Sequence, residues 1–303
     1  MSKLMHMHSV EDLFRFFKVD KKLNHPLIGV IDFSKAPHII QEDCFVVGDF
    51  YAMLCKNYNK NNVKYGRKVI DFHNGSLICL APGQGLELSV DEETPDDMEG
   101  WGLFFHPDFI RPTSLNNKMK DYNFFSYEVS ESLHLSEKEK QTLLDCVMKI
   151  DTELQDNIDI YSQSIVVSTI ELLLNYCTRF YSRQFITRKS SNNVVVAQVE
   201  KILMEYFSVD DVNEKGLPTV KFLADQVHLS PGYLSDLLKK ETGKNTQDHI
   251  HYYLVEAAKN ILLNTNKSVG EIAYTLGFEY PQYFNKLFKQ KTGKTPLEFR
   301  SMN

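Results

Sequence analysis

The chain has 303 residues, 43% of them hydrophobic and 24% charged, a balance that excludes a largely disordered chain and fits two or three folded domains. Its five cysteines, at positions 44, 55, 79, 146 and 177, form no C-x-x-C pair, so neither a disulfide framework nor a zinc knuckle is indicated and a reducing compartment fits best. The start, MSKLMHMHSVEDLF, has no cleavable apolar leader and no stretch approaches the roughly 18 apolar residues of a spanning helix, so the expectation is a soluble, cytoplasmic protein with no membrane partner.

Net charge is −6, but it is unevenly placed: residues 1–193 hold 21 basic and 27 acidic side chains, and residues 217–303 hold 11 basic and 8 acidic, net +3. Residues 27–105 alternate turn residues with short apolar runs at Cys44–Val47, Tyr51–Cys55, Lys68–Phe72, Ser76–Leu80 and Gly102–Phe105, which predicts a small antiparallel β sandwich or barrel. After His134 the period becomes helical. Leu143, Val147, Ile150 and Leu154 follow the cap-like Ser136-Glu-Lys-Glu, and Val166, Ile170, Leu173 and Cys177 repeat the spacing, predicting helices over 136–156 and 160–184 joined near Asn157. Their stripes exceed what a thin sheet edge can cover, so a symmetric pairing face including Leu173 is expected.

The polar RKSSNN, residues 188–193, is read as a linker, and everything beyond it as helical. Val195, Val199, Ile202, Leu203 and Tyr206 form one stripe. Thr219 caps a short helix to Val227, Pro231 opens a helix that Gly243 stops, and Thr246 begins a long one to about Leu263. Ser268 then caps a helix ending at Gly277, and Pro281 opens another that ends at Gly293. Two of these stretches repeat each other. Leu223, Ala224, Val227 and Leu229 match Ile272, Ala273, Leu276 and Phe278 at an offset of 49; Pro231, Tyr233, Leu234, Leu238, Lys239 and Gly243 match Pro281, Tyr283, Phe284, Phe288, Lys289 and Gly293 at an offset of 50.

Each copy is therefore helix, tight turn, helix. With Leu234 and Leu238, or Phe284 and Phe288, facing inward, the outward residues are Gly232, Ser235, Asp236 and Lys239 in one copy and Gln282, Asn285, Lys286 and Lys289 in the other. Lys239, Lys240, Lys244, Lys286, Lys289, Lys291 and Lys294 gather at the ends of the two phrases. Small and amide side chains early and cations late suit a recognition helix, whose first turns reach base edges and whose later lysines meet phosphate. A helical scaffold with a solvated lysine face is the plain alternative; two copies rather than three or more, and matched Pro starts, disfavour it.

The stretch EIAYTLGFEYPQYFNKLFKQKTGKTPLEFR, Glu271–Arg300, resembles the signature of the AraC/XylS transcription regulators. The resemblance implies an α+β multidomain chain: a cupin-like sensor barrel over 1–130, a helical dimerisation segment over 131–187, the linker, and a two-headed DNA-binding domain over 194–303 with helix-turn-helix units at about 219–242 and 268–292. It further implies double-stranded DNA and RNA polymerase as partners, a homodimer, and an activator controlled through its front domain. Base contacts would fall to Gly232, Ser235 and Asp236, and to Gln282, Tyr283 and Lys286. Two positions depart from the pattern: Asp236 stands where a basic or amide reader is common, and Leu254 where the bridging helix usually carries Arg. Asp236 would repel phosphate, though it can accept from a cytosine amino group, so the first unit is expected to anchor less than the second.

In the front domain, GSLICLAPGQGLEL and GWGLFFHPDFIRPTSL resemble the barrel of such regulators. A barrel of this kind raises a metal-dependent enzyme as the rival reading. That chemistry needs clustered His and carboxylate ligands, whereas this region offers His73 and His106 far apart and Glu87 with no His just before it. His6 and His8 lie in a start read as unstructured, and His249 and His251 on different sides of a helix, so neither a metal, a cofactor nor a catalytic residue is expected. Tyr65, Phe72, Trp101 and Phe105 are the candidate lining of an effector pocket, although aromatics in a small β domain are more often core. Metabolite sensing, control by a protein partner and constitutive dimerisation all fit the front half.

Overall fold

The computed structural model describes residues 3–19, 23–35, 43–57, 63–65, 68–70, 75–88, 99–156, 159–208 and 216–301. The chain divides into two compact units, residues 1–187 and 188–303.

Among the described residues the first unit holds ten strands: β1 (Lys3–Met7), β2 (Ile28–Asp32), β3 (Cys44–Gly48), β4 (Tyr51–Asn57), β5 (Val63–Tyr65), β6 (Lys68–Ile70), β7 (Ser76–Leu80), β8 (Gly85–Leu88), β9 (Glu99–Phe105) and β10 (Leu133–His134). They form two five-stranded sheets, ordered β1-β3-β8-β5-β6 and β10-β7-β4-β9-β2. Among the described residues both sheets are open, so the expected closed barrel is replaced by a sandwich. Its shared core takes Cys44, Leu86 and Leu88 from one sheet and Ile31, Leu54, Ile78 and Phe104 from the other, with Val10, Leu13 and Phe14 of helix α1 (Val10–Phe16) packed among them. One pairing departs from the antiparallel expectation, since β1 runs parallel to β3 with His6 opposite Val47. The start of the chain is thus a strand and not the unstructured segment expected.

Short helices α2 (Pro107–Ile110) and α3 (Ser114–Lys118) lead to α4 (Glu137–Gln155) and α5 (Ser162–Thr187). Ser136 accepts from the Glu139 amide while the Glu139 carboxylate accepts from the Ser136 amide, a reciprocal cap that starts α4 where the sequence predicted. The expected joint at Asn157 lies outside the described residues. Arg183 of α5 donates to the Glu139 carboxylate at 2.8 and 3.0 Å and to the His134 carbonyl at 2.6 Å, tying the two helices to β10. Leu173 is fully buried whereas its neighbour Leu172 is 45% exposed. The stripe through Leu173 is therefore core, and the outward face of α5 is the one carrying Ile165 and Leu172. All five cysteines are buried free thiols, and burial pushes Cys55 up to about 12, which leaves it protonated and unreactive. No helix among the described residues is long and apolar enough to cross a membrane.

The second unit is helical: α6 (Lys189–Ser208), α7 (Val220–Gln226), α8 (Pro231–Thr242), α9 (Thr246–Asn264), α10 (Val269–Thr275), α11 (Pro281–Thr292) and α12 (Pro296–Ser301). Residues 189–193, expected as a linker, are the first turns of α6. Leu254, Val255, Ala258 and Leu262 of α9 join Ile272, Ala273, Leu276, Phe278, Phe284 and Phe288 in one cluster, so the bridging helix is itself part of the core. Leu254, which departs from the family pattern, is 1% exposed there, and an arginine in its place would bury a charge.

Candidate nucleic-acid interface

The repeat seen in the sequence is also a repeat of hydrogen bonds. In the first turn the Leu229 amide donates to the Ala224 carbonyl at 3.0 Å, and in the second the Phe278 amide donates to Ala273 at 3.0 Å. Pro231 and Pro281 occupy the first turns of α8 and α11, and Gly243 (φ 77°) and Gly293 (φ 79°) end them in the left-handed region, where a missing Cβ removes the steric cost. The recurring Thr-Gly-Lys closes each helix in the same way. Thr242 Oγ1 donates back to Leu238 at 2.8 Å and accepts from the Lys244 amide at 3.3 Å, while Thr292 does the same with Phe288 at 2.7 Å and Lys294 at 3.3 Å. The repeat then runs past the point followed in the sequence. Asn245 caps α9 and Thr295 heads α12 at the same offset of 50, with Asp248 and Glu298 three residues on in each.

The copies differ where they start. Ser230 accepts from the Tyr233 amide at 3.2 Å, but Tyr280, at the start of α11, makes no side-chain cap. The first turn places His228 at φ 56° where the second has Gly277 at φ 85°; a Cβ on Gly277 would stand 2.8 Å from the Gly216 carbonyl carbon. Gly216 is held there by the Tyr206 hydroxyl, which donates to its carbonyl at 2.8 Å.

The two helices also expose different faces. On α8 the residues Tyr233, Leu234, Leu237 and Leu238 are all buried, and α6 packs alongside, with Asn192 donating to the Glu241 carboxylate at 2.8 Å. On α11 only Phe284 and Phe288 are buried. Tyr283 is 58% exposed while its counterpart Tyr233 is 4% exposed. Gly232, Ser235 and Asp236 are consequently half-buried, whereas Gln282, Tyr283, Asn285, Lys286 and Lys289 are exposed together with Lys239 and Lys240. Two lysines of the expected cluster have intramolecular partners: Lys291 pairs with Asp248 at 2.9 Å, and Lys244 Nζ sits 4.6 Å above the Tyr252 ring. The coupling of α8 to the bridge was not legible in the sequence. Thr242 Oγ1 lies 2.8 Å from His249 Nε2, and burial holds the His249 imidazole below its ordinary pKa, keeping it neutral.

The expected effector residues separate in the structure. Trp101 lines a cleft of about 780 Å³ between Val30, Cys55 and the face of α4 that carries Leu144 and Met148. Phe105 is fully buried and stacks on Tyr51 at 5.1 Å, so it is core and not cleft wall. Tyr65 lies in β5 without a described side chain, and Phe72 and His73 lie outside the described residues.

Two helix-turn-helix units on a shared bridging helix define a DNA-binding class, and the comparisons agree: a helix-turn-helix domain family profile matches residues 223–302. The bifunctional transcriptional activator/DNA repair enzyme AdaA of Bacillus subtilis is 42% identical over 85 residues, covering 28% of this chain and 40% of that protein. The xylose operon regulatory protein of Escherichia coli is 34% identical over 89 residues, covering 29% of this chain and 22% of that one. Among solved structures, the C-terminal domain of the two-component response regulator yesN from Fusobacterium nucleatum is 33% identical with a TM-score of 0.30, covering 34% of this chain and 95% of that one. The chain spans less than two thirds of the length of these two curated relatives. The C-terminal part of this protein is an AraC/XylS-type helix-turn-helix DNA-binding domain.

Proposed function

We propose that the whole chain is a sequence-specific transcription regulator that reads duplex DNA with α8 and α11 and is controlled through residues 1–187. The observation that carries this reading is the doubled unit: two turns with the same hydrogen bonds, each presenting a helix with a polar outward face ending in exposed lysines. In this reading Lys239, Lys240 and Lys289 meet phosphate, and Gln282, Tyr283, Asn285 and Lys286 reach base edges more fully than Gly232, Ser235 and Asp236. Activation of transcription is supported by the activator named among the relatives, and RNA polymerase would be its partner in that reading.

The front unit would act as the sensor, a cupin-like sandwich whose effector sits in the cleft beneath Trp101. It would also pair two chains through the outward face of α5, where Ile165 and Leu172 are exposed seven residues apart. Trp101 is the single tryptophan of the chain, so its fluorescence reports directly on that cleft during a screen of small molecules.

The test is a mobility-shift titration of the full chain on its own upstream DNA. Binding should weaken by orders of magnitude between about 50 and 200 mM salt, as counterion release from several phosphates requires, and competitor DNA of unrelated sequence should not displace it. Salt-insensitive or sequence-blind binding would refute the reading.

A further inference from the structure

We propose that His6, His8 and Asp49 form a binding site for a zinc-type divalent ion on the first unit, apart from the DNA-reading helices. The backbone brings the three together. The parallel ladder between β1 and β3 sets Met7 opposite Gly48, and the Asp49 amide donates to the Met7 carbonyl at 3.0 Å, so the carboxylate falls between the residues on either side of Met7. Strand alternation then turns Met7 into the core, where it is 4% exposed, and His6 and His8 together to the other face. His6 Nε2 lies 2.7 Å from one carboxylate oxygen of Asp49 and His8 Nδ1 lies 2.8 Å from the other.

One ligand atom from each residue falls within 4.8 Å of the others. Bonds of about 2.0 to 2.2 Å from nitrogen or oxygen to zinc put tetrahedral ligand atoms about 3.3 Å apart, so a hydrogen-bonded pair must part by about half an ångström while the pairs farther apart, all within 4.8 Å, close toward the same spacing. Two imidazoles and one carboxylate make three ligands, and the exposed side of the cluster leaves the fourth position to water, the arrangement of an open zinc site. The exit of the strand is held as well: after His8, Ser9 and Asp12 form a reciprocal cap on α1, and the His8 amide donates to the Asp12 carboxylate at 3.1 Å. A bound ion would pin β1 to the turn after β3, making the attachment of the first strand dependent on metal.

The experiment uses the untagged full chain stripped with chelator and titrated with zinc by calorimetry. The expected result is one zinc per chain. Asp49→Asn should weaken binding at least about tenfold, since even residues that only support metal ligands cost 10 to 100-fold when changed, and the double variant His6→Asn/His8→Asn should abolish it. Amide exchange over residues 3–8 should slow on adding zinc to the wild type and not to the double variant, a readout independent of affinity. The double variant changes exposed side chains and Asp49→Asn swaps a half-buried carboxylate for an amide of the same shape, so both should keep the wild-type melting midpoint without metal; were one to unfold, His8→Gln alone carries the same comparison. Absence of a zinc site in the wild type, or equal affinity in the wild type and the double variant, overturns the proposal.

Discussion

The two helix-turn-helix units share backbone hydrogen bonds to within a few tenths of an ångström, yet they commit their side chains differently. The first buries four residues of its second helix and shelters Asp236; the second buries two and exposes two glutamines, a Tyr, an Asn and three lysines. Duplication has kept what the turn needs, a small residue at Ala224 and Ala273, a proline start and a left-handed stop, and released what the helix shows to its surroundings. Equivalent positions in a repeat are equivalent in backbone, and only the neighbours decide whether they are equivalent in role. Tyr233 is buried and Tyr283 exposed, and α6 lies against the helix of the first copy.

The sharpest way to break the comparison is at the turns. Gly277→Ala should cost about 1 to 3 kcal/mol from the left-handed backbone alone, and the 2.8 Å approach to Gly216 adds to it because backbone must move; urea unfolding followed by circular dichroism measures the loss. A cost under about half a kcal/mol would mean that the second turn tolerates what the first already does with His228. Next come the reading helices. Lys286→Ala should lose about 1 to 3 kcal/mol of DNA affinity and relax base preference in its own half-site, whereas Asp236→Ala should leave affinity unchanged or raise it. Site selection on both variants tests this, and equal losses would remove the proposed division between an anchoring and a weaker unit.

A smaller effect concerns pH. Burial depresses His249 below its ordinary value of 6.5, so the unfolded chain takes up a proton there before the folded one does. The stability this neutral histidine contributes is complete above about pH 6.5 and is lost as pH falls through the lower folded value. His251 is shifted the same way, by burial first and by Lys291 second. Melting midpoints of residues 188–303 should therefore drop on acidification, and the slope should shrink in His249→Gln. The smallest effect is expected from His228→Gly, which relieves a left-handed residue with φ 56° and should raise stability by up to about 1 kcal/mol.

How much could be read in advance varied with local chemistry. The helix boundaries at Ser136, Thr219, Ser268, Pro231, Pro281, Gly243 and Gly293 were legible because caps, prolines and left-handed glycines act within a few residues. The opening of α6 was not, since RKSSNN carries no stripe of its own and is helical in continuity with Val194–Ser208. Strand β1 was missed for a related reason: its alternation of His and Met looks polar until β3 is laid beside it, and a parallel partner about forty residues away leaves no local turn signal. Leu172 and Leu173 are adjacent on one helix, and periodicity correctly found the apolar stripe but assigned its burial to a partner chain, whereas Leu173 is buried within this chain. The exposed half of each of these helices followed from the buried half, but the burial of Tyr233, set by tertiary neighbours, did not.

The bridging helix α9 contributes Leu254, Val255, Ala258 and Leu262 to the core that holds the second unit and reaches the first through His249. Where this shared core holds the two helices at a fixed span, compliance has to come from the duplex. Wherever the preferred half-sites are out of phase with the fixed pair of helices, the DNA must bend or change twist, at about 1 to 6 kcal/mol for a bend of 40 to 90° over 20 to 30 base pairs. Base steps between the half-sites that no side chain touches would then contribute to recognition through their stiffness, and flexible pyrimidine–purine steps there would bind better than rigid A-tracts.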